Sequence, residues 1–407
     1  MSNRIGNWIG GRDVAAQGGA TFEKRSPHDG TLLSEVARSS AADVDLAVSA
    51  AQRAWADWAS IPAVQRGHTL HQICNAMERR QQDIADLVAR ETGKAPREAF
   101  GEAGGAIALG RFYAGEGQRL YGRTTTSGTA HKHAMTVRQP CGVAGLIIAA
   151  NTPIANVAWK SFPALICGNA AVLKAAEDTP GTARLFAEIA HEAGLPAGVF
   201  NVIQGLGQEC GPALVEHPAI DVVSFTGSTR VGRMIGETCG RLLRKVSLEL
   251  GGKNPLVVCD DADLDHAVTW TCLSAFSNAG QRCAAGSRIL VFDSVFDAFV
   301  KKLVDATAML KAGPGDDCYF GPVINERQLI NMVASVERAR GQGARVLAGG
   351  HRLAGPEYSK GWYMAPTIVV DVDPDWEISK TELFGPVACL YRVNDFEDAL
   401  RMANDSP

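Results

Sequence analysis

Residues 142–174 read GVAGLIIAANTPIANVAWKSFPALICGNAAVLK, and this stretch decides the fold. Its first part, 143–149, is a short apolar run that fits a buried strand. A helical stretch follows and ends near Gly168, and 170–174 is a second apolar strand. Thr179-Pro180 then has the form of a helix N-cap followed by proline at the first helical position. The stretch therefore predicts a strand–helix–strand unit with another helix after it.

The same alternation continues along the chain. Further strands are predicted over 199–203, 221–225 and 245–250. Alternating strands and helices imply an α/β fold, in which a doubly wound parallel sheet is covered by helices on both faces. Such a sheet binds nucleotides at the carboxyl ends of its strands. A second α/β unit is predicted after Gly252.

The amino-terminal part is predicted to be helical and then to form a hairpin. Apolar residues recur at helical spacing over 41–58, and again over 64–92, where Gly93 marks the end. The stretch 122–139 is rich in Thr, Ser and Gly and suits an exposed β-hairpin. His131 and His133 would share one strand face there, which indicates a solvated strand rather than a metal site.

Composition excludes several classes of function. At 407 residues the chain can form two or more domains. The net charge of −4, without a basic cluster, argues against a nucleic-acid partner. No apolar stretch is long enough to span a bilayer, and residues 1–10 lack the apolar region of a secretory signal. The ten scattered cysteines, with no C-x-x-C pair, favour reduced thiols in a cytoplasm.

Residues 276–283, FSNAGQRC, contain a candidate nucleophile. A thiolate is a strong nucleophile, although a lone cysteine is more often a small buried apolar residue. Here Asn278, Gly280 and Gln281 precede Cys283 and indicate a shaped loop rather than a packed helix face.

A candidate base lies upstream in residues 248–253, LELGGK. By alternation alone, Glu249 would lie on the solvent face of a strand. The Gly251-Gly252 pair that follows allows the backbone to pass close to a ligand. Asn151, at the end of the first strand, is either a turn residue or a side-chain donor to a developing oxyanion.

Together these segments closely resemble the aldehyde dehydrogenase superfamily, in its non-acylating form, over nearly the whole chain. The resemblance implies that Cys283 attacks an aldehyde, that Glu249 activates the hydrolytic water, and that Asn151 supports the oxyanion with the Cys283 backbone N–H. The family's aromatic neighbours of this asparagine are absent, since Ala149-Ala150 precede it and Thr152 follows it.

The resemblance also implies a dinucleotide site. Lys174 and Glu177 would hold the adenosine ribose, and the FTGS motif at 225–228 would contact the pyrophosphate. A carboxylate at Glu177 would repel a 2′-phosphate, so NAD is favoured over NADP. No metal is implied. The cofactor residues implied in full are Lys174, Glu177, Gly207, Gly227, Ser228, Leu250, Glu382 and Phe384.

The domain organisation that the resemblance implies has three parts. Residues 1–121 and 141–248 form the NAD-binding domain, a Rossmann-like fold, and 122–140 form an oligomerisation hairpin. Residues 249–407 form a second, catalytic α/β domain. A homodimer or homotetramer is expected. Family members normally continue past this catalytic segment, so we expect a chain ending here to be less stable, to expose a sheet edge and to have impaired activity.

Three other functions stay open at this point. The first is an acylating relative that transfers the thioester to coenzyme A, and the second is a non-catalytic protein that retains the fold. The third is a thiol hydrolase, although no histidine shares a motif with Cys283. The substrate itself is not indicated. No arginine lies in 154–160 to bind a second carboxylate, which weakly disfavours a succinic-semialdehyde-type substrate.

Overall fold

The computed structural model describes residues 3–406. The chain divides into two compact units. The first contains the residues up to Arg25 together with Leu32–Glu91 and Ala99–Leu250. The second contains Ser26–Thr31, Thr92–Glu98 and the chain from Gly251 onward.

The strands are β1 (Asn3–Ile5), β2 (Asn7–Ile9), β3 (Arg12–Val14), β4 (Thr21–Arg25), β5 (Leu32–Ala37), β6 (Thr124–Thr126), β7 (His133–Met135), β8 (Val143–Ile147), β9 (Ala170–Lys174), β10 (Phe200–Ile203), β11 (Val222–Thr226), β12 (Lys245–Glu249), β13 (Asn254–Val258), β14 (Gly286–Phe292), β15 (Arg345–Ala348), β16 (Thr367–Val370) and β17 (Val387–Val393). The helices are α1 (Ala41–Ser60), α2 (Ala63–Arg79), α3 (Gln81–Thr92), α4 (Pro96–Glu116), α5 (Pro153–Ile166), α6 (Pro180–Glu192), α7 (Gly207–Glu216), α8 (Thr229–Arg241), α9 (Leu264–Phe276), α10 (Asp293–Ala308), α11 (Glu326–Gly341), α12 (Glu377–Lys380) and α13 (Phe396–Asn404).

The first unit is built on a seven-stranded sheet in the order β12-β11-β8-β9-β10-β2-β3. Its five longer strands are parallel, as the sequence predicts. Helices α1, α7 and α8 pack on one face, and α2, α5 and α6 pack on the other. The doubly wound α/β prediction is therefore confirmed. Strands β2 and β3 extend the sheet in antiparallel orientation; they have three residues each, too few for a periodic signal.

The second unit contains a five-stranded sheet in the order β13-β14-β17-β16-β15. All pairs are parallel except β15 with β16. Helices α9 and α10 contribute to the apolar cluster on one face of this sheet, and α11 and α13 contribute to the cluster on the other. This unit is also α/β, as the sequence predicts for the chain after Gly252.

The exposed hairpin predicted over 122–139 is present as the antiparallel pair β6 and β7. The placement of one histidine was wrong. His131 lies outside the strands with a φ of +62°, in a left-handed turn, so it does not share a strand face with His133. Within residues 3–406, no group of three or more His, Cys, Asp or Glu side chains is arranged to hold a metal ion. No helix in the same range is long and apolar enough to cross a membrane.

The helical region before the hairpin differs from the prediction in two respects. The single helix over 64–92 is interrupted at Arg80, which has φ −112° and ψ 20° and separates α2 from α3. No glycine or proline marks this break, so the apolar periodicity runs through it unchanged. Helix α4 was not predicted, because its glycines lower the helical propensity of that stretch.

One glycine of α4 is required by packing rather than by backbone conformation. A Cβ atom on Gly110 would lie 2.6 Å from both the sulfur of Cys74 and Cζ of Phe162, and both of these side chains are fully buried. Gly105, on the same helix, has no neighbouring atom within 4 Å of an added Cβ. An alanine at Gly105 therefore changes only the helix propensity, whereas an alanine at Gly110 also changes the packing of the core.

We expect Gly110→Ala to lower the free energy of unfolding by about 1–3 kcal/mol, because the added methyl group overpacks the core. Gly105→Ala should raise it by about 0.5–1 kcal/mol, because alanine is the better helix former. Urea unfolding of both variants tests this expectation. A stabilised Gly110→Ala would contradict the packing argument.

Candidate active site

The parallel strands of the first unit end together at one edge of the sheet. Ile147 of β8 pairs with Lys174 of β9 and with Phe225 of β11. Asn151 follows β8 and lies in the turn that leads into α5. The carboxylate of Glu102 accepts hydrogen bonds from two backbone N–H groups in the first turn of this helix, at 3.0 and 3.2 Å. A carboxylate at a helix N-terminus is stabilising and fixes the turn that carries Asn151.

Glu249 ends β12 and faces a buried cation. Lys160 of α5 is buried, and its Nζ donates a hydrogen bond to Ser224 Oγ at 2.9 Å. Ser224 pairs with Ser247, which precedes Glu249 by two residues, so all three side chains lie on the same face of the sheet. Burial lowers the pKa of Lys160 to about 8, and the charge of Glu249 opposes this shift.

Lys160 was not among the predicted site residues. It is the only charged side chain of α5, a mostly apolar helix that follows Asn151. A lone charge on a buried helix needs a polar partner, and that signal could have identified it.

Three of the predicted adenosine-side residues lie together beyond β9. Lys174 is buried, and its Nζ lies 2.8 Å from the Glu177 carboxylate, which is 41% exposed. A Cβ atom on Gly207, the first residue of α7, would lie 3.8 Å from both side chains. The bare Cα of Gly207 therefore lies next to the ion pair, at ordinary van der Waals distance for an added group.

Gly227, Ser228 and Leu250 surround the start of α8. The Gly227 N–H donates to the carbonyl of Glu249 at 3.1 Å and joins the ends of two strands. Ser228 is the N-cap of α8 and accepts a backbone N–H of its first turn. Leu250 packs so closely on Gly232 that a Cβ there would lie 2.4 Å from Leu250 Cδ2. The result is a helix N-terminus at a strand end, which suits an anion.

In the second unit, Cys283 follows a turn of unusual conformation. Asn278, Ala279 and Gly280 have φ values of +51°, +53° and +68°, so three successive residues are left-handed. A Cβ on Gly280 would lie 2.2 Å from the carbonyl oxygen of Gly385. Non-glycine residues adopt this conformation only where the surrounding structure holds them, and such strain is concentrated at functional sites.

Side-chain amides hold this turn in place. Gln281 is buried; its Nε2 donates to the carbonyl of Asn278 at 3.1 Å, and its Oε1 accepts the Ile324 N–H at 2.8 Å. Asn254 Nδ2 donates to the carbonyl of Cys283 at 2.5 Å. The Cys283 residue itself is exposed. The loop therefore fixes the backbone of Cys283, while the cysteine itself remains exposed.

Glu382 and Phe384 border a small cavity in the same unit. A Cβ on Gly251 would lie 1.8 Å from Glu382 Oε2, and the backbone N–H of Gly252 donates to this carboxylate. Burial raises the pKa of Glu382, while the Gly252 hydrogen bond and the charge of Lys253 oppose the rise. Phe384 is another left-handed residue, with φ +55°.

The predicted site residues are divided between the units. The first unit contains Asn151, Lys174, Glu177, Gly207, Gly227, Ser228, Glu249 and Leu250, and the second contains Cys283, Glu382 and Phe384.

The sequence as a whole matches a known family. The sequence model that describes the aldehyde dehydrogenase family matches residues 14–407 of this chain. The chain belongs to this family, and it is thus an oxidoreductase of the class that acts on aldehydes with a nicotinamide dinucleotide.

Individual relatives show the same kinship. The α-ketoglutaric semialdehyde dehydrogenase of Bacillus subtilis strain 168 is 38% identical over 402 residues, which are 98% of this chain and 82% of that protein. The NADP⁺-linked succinate-semialdehyde dehydrogenase GabD of Escherichia coli strain K12 is 39% identical over the same shares of the two chains. The crystal structure of betaine aldehyde dehydrogenase from Staphylococcus aureus in complex with NAD⁺ has a TM-score of 0.97 and 31% identity. The matched part covers 98% of this chain and 80% of the chain in that structure.

We expect Gly280→Ala to lower the turnover number for aldehyde oxidation by about tenfold or more, because the new Cβ displaces the loop that presents Cys283. Gly343→Ala is the matched control in the same unit. It also places alanine at a positive φ, +113°, but no atom lies within 4 Å of its Cβ. Equal losses of turnover in both variants would indicate general strain rather than a displaced loop.

Proposed function

We propose that this protein oxidises an aldehyde to a carboxylate with NAD, through a thioester on Cys283. The observation that carries the proposal is the strained turn over 278–280, which leads to an exposed cysteine whose backbone is fixed by Asn254. A buried structural cysteine needs no such turn. A nucleophile that must meet a carbonyl at a fixed angle does.

The residues present fit a dinucleotide. Lys174 and Glu177 form an ion pair beside the bare Cα of Gly207, and Ser228 caps a helix N-terminus suited to the pyrophosphate. Glu382 Oε1 is buried without a hydrogen-bond partner among residues 3–406, as expected for a carboxylate that accepts from ribose hydroxyls. Leu250 and Phe384 would provide apolar contacts.

In the first half of the reaction, Cys283 Sγ adds to the aldehyde carbon and gives a thiohemiacetal. The oxyanion accepts hydrogen bonds from the Asn151 side-chain amide and from the Cys283 backbone N–H. The bound nicotinamide supplies the hydride acceptor for this step. The product on the enzyme is a thioester of Cys283.

In the second half, Glu249 removes a proton from water, and the resulting nucleophile attacks the thioester carbon. The C–S bond breaks, the Cys283 thiolate is released, and a carboxylate leaves. The buried Lys160 faces Glu249, the residue that acts as the base in this step. The presence of this base favours water over coenzyme A as the acceptor, and product analysis with and without coenzyme A distinguishes them.

For the substrate, we propose an aldehyde without a second carboxylate. Helix α5 has no arginine that could bind one; its only charged side chain, Lys160, is hydrogen-bonded to Ser224. This differs from what the names of the two semialdehyde dehydrogenases above indicate for those proteins. A panel of neutral aliphatic, aromatic and ω-carboxylate aldehydes tests the choice.

For the assembly, we propose a homodimer or homotetramer formed through the hairpin. Met135 of β7 and the adjacent Val137 are 68% and 67% exposed, which is unusual for apolar side chains of this size. We assign NAD binding to 1–121 and 141–248, oligomerisation to 122–140 and catalysis to 249–407. All ten cysteines are free, and we propose a reducing, cytoplasmic location.

We expect Cys283→Ala to abolish NADH formation from any aldehyde that the wild type oxidises, because no thiohemiacetal can form. NAD should still bind with an unchanged dissociation constant. Cys141→Ala is the matched control, since Cys141 is also exposed but lies in the first unit, before β8. Absorbance at ~340 nm, where the reduced nicotinamide absorbs, follows the reaction. Residual turnover in Cys283→Ala would refute the assignment of the nucleophile.

We expect Glu177→Gln to shift cofactor preference toward NADP. Removing the carboxylate removes a repulsion of about 1–2 kcal/mol with the 2′-phosphate, so the ratio of kcat/KM for NAD to that for NADP should fall about tenfold. Glu216→Gln is the control: Glu216 is exposed and is the last residue of α7, so its substitution should leave the ratio unchanged. An unchanged ratio in Glu177→Gln would place the adenosine ribose elsewhere.

A further inference from the structure

Lys253 is a buried cation that the proposed mechanism does not use. It follows Gly251-Gly252 directly and is only 4% exposed. Its Nζ has no hydrogen-bond partner among residues 3–406. Burial lowers its pKa. A buried ammonium group without a partner is costly, so its retention at this place calls for a neighbouring negative charge.

Three ionisable side chains face Lys253, and two of them cannot supply that charge. Arg288 is itself a cation, and its guanidinium donates to the carbonyls of Lys253, Met402 and Ala403 at 2.7–2.8 Å. Cys389 on β17 is fully buried, and burial raises the pKa of its thiol, so it stays neutral. Its neighbour Tyr391 also has a raised pKa because of burial. The remaining facing group is Glu382, which lines the same small cavity as Lys253.

Glu382 needs a positive charge as much as Lys253 needs a negative one. Its Oε2 lies against the bare Cα of Gly251 and its Oε1 has no hydrogen-bond partner in the described chain. The Gly252 N–H is the hydrogen bond that opposes the rise of its pKa. Two opposite charges in a cavity of low polarity interact much more strongly than they would in water.

We infer that Lys253 is the counter-charge of Glu382, and that it keeps this carboxylate ionised and aimed at the cofactor. It is a positioning residue, because it acts through Glu382 and does not itself contact the reacting atoms. The inference rests on the proposed role of Glu382 as the acceptor for ribose hydroxyls. Without Lys253, desolvation would dominate and Glu382 would take up a proton, which removes one of its acceptor sites.

The test is the pH dependence of the NAD dissociation constant, measured by calorimetry at a series of pH values on the acidic and the alkaline side of neutrality. Four full-length proteins are compared: wild type, Lys253→Met, Glu382→Gln and the double variant. Wild type should bind NAD with little pH dependence. Lys253→Met should bind about tenfold more weakly at the acidic end and approach wild type as the pH rises, because loss of the cation raises the pKa of Glu382.

The other variants separate the two proposals. Glu382→Gln should weaken binding equally at all pH values, and adding Lys253→Met to it should change nothing further. If Glu382→Gln weakens binding but the NAD dissociation constant of Lys253→Met depends on pH as little as that of wild type, the inference is wrong. If Glu382→Gln binds NAD as wild type does, the role of Glu382 in the proposed function fails instead.

Stability provides a measurement that does not depend on the cofactor. Lys253→Met leaves the Glu382 carboxyl group without its partner, so that it either stays charged at a cost or must take up a proton, whereas the double variant leaves no such group and should have the higher urea midpoint. A Lys253→Met protein that fails to fold, beside a double variant that folds, gives the same support. A double variant no more stable than Lys253→Met, or two variants that both fail to fold, would overturn the coupling. Lys302→Met, on the exposed face of α10, is the control for loss of a lysine.

Discussion

The parallel register of β9, β8, β11 and β12 is the constraint on which the arrangement of the first unit depends. Because Lys174 pairs with Ile147, Ile147 with Phe225, and Thr226 with Glu249, four strands end at the same edge of the sheet. A shift of one residue would turn these side chains to the opposite face. Register alone therefore places the ion pair, the helix N-terminus and the candidate base along one edge.

Both units pair a buried lysine with a carboxylate that is assigned a task. In the first, Lys160 faces Glu249, and in the second, Lys253 faces Glu382. In the second unit, burial favours the protonated form of Glu382, and the nearby Lys253 ammonium group counteracts this tendency. The glycines serve the same end: Gly251 lets the backbone approach Glu382 more closely than any side chain would permit. Charge state and close approach are thus controlled by residues that need not touch the substrate.

The sequence predicted the alternating strands and helices of the parallel sheet in the first unit, because these elements have strong apolar patterns and clear breaks. It missed features that depend on contacts distant in sequence. Helix α4 was overlooked because its glycines lower its helical propensity, and the packing on Phe162 that requires one of them, Gly110, is a contact distant in sequence. The motifs predicted most of the candidate site residues, and the isolated charge of Lys160 on helix α5 was a further signal in the sequence. The unpartnered atoms of Lys253 and Glu382 are visible only in the three-dimensional structure.

The central claim is that Cys283 carries the acyl group between the two halves of the reaction. Intact-mass spectrometry of a Glu249→Gln variant, quenched in acid shortly after mixing with NAD and an oxidisable aldehyde, tests it most directly, because loss of the base should let the thioester accumulate. The account predicts a mass increase equal to one acyl group per chain, mapped by peptide analysis to Cys283 and dependent on NAD. NADH formation without this adduct, or an adduct on another residue, would contradict it.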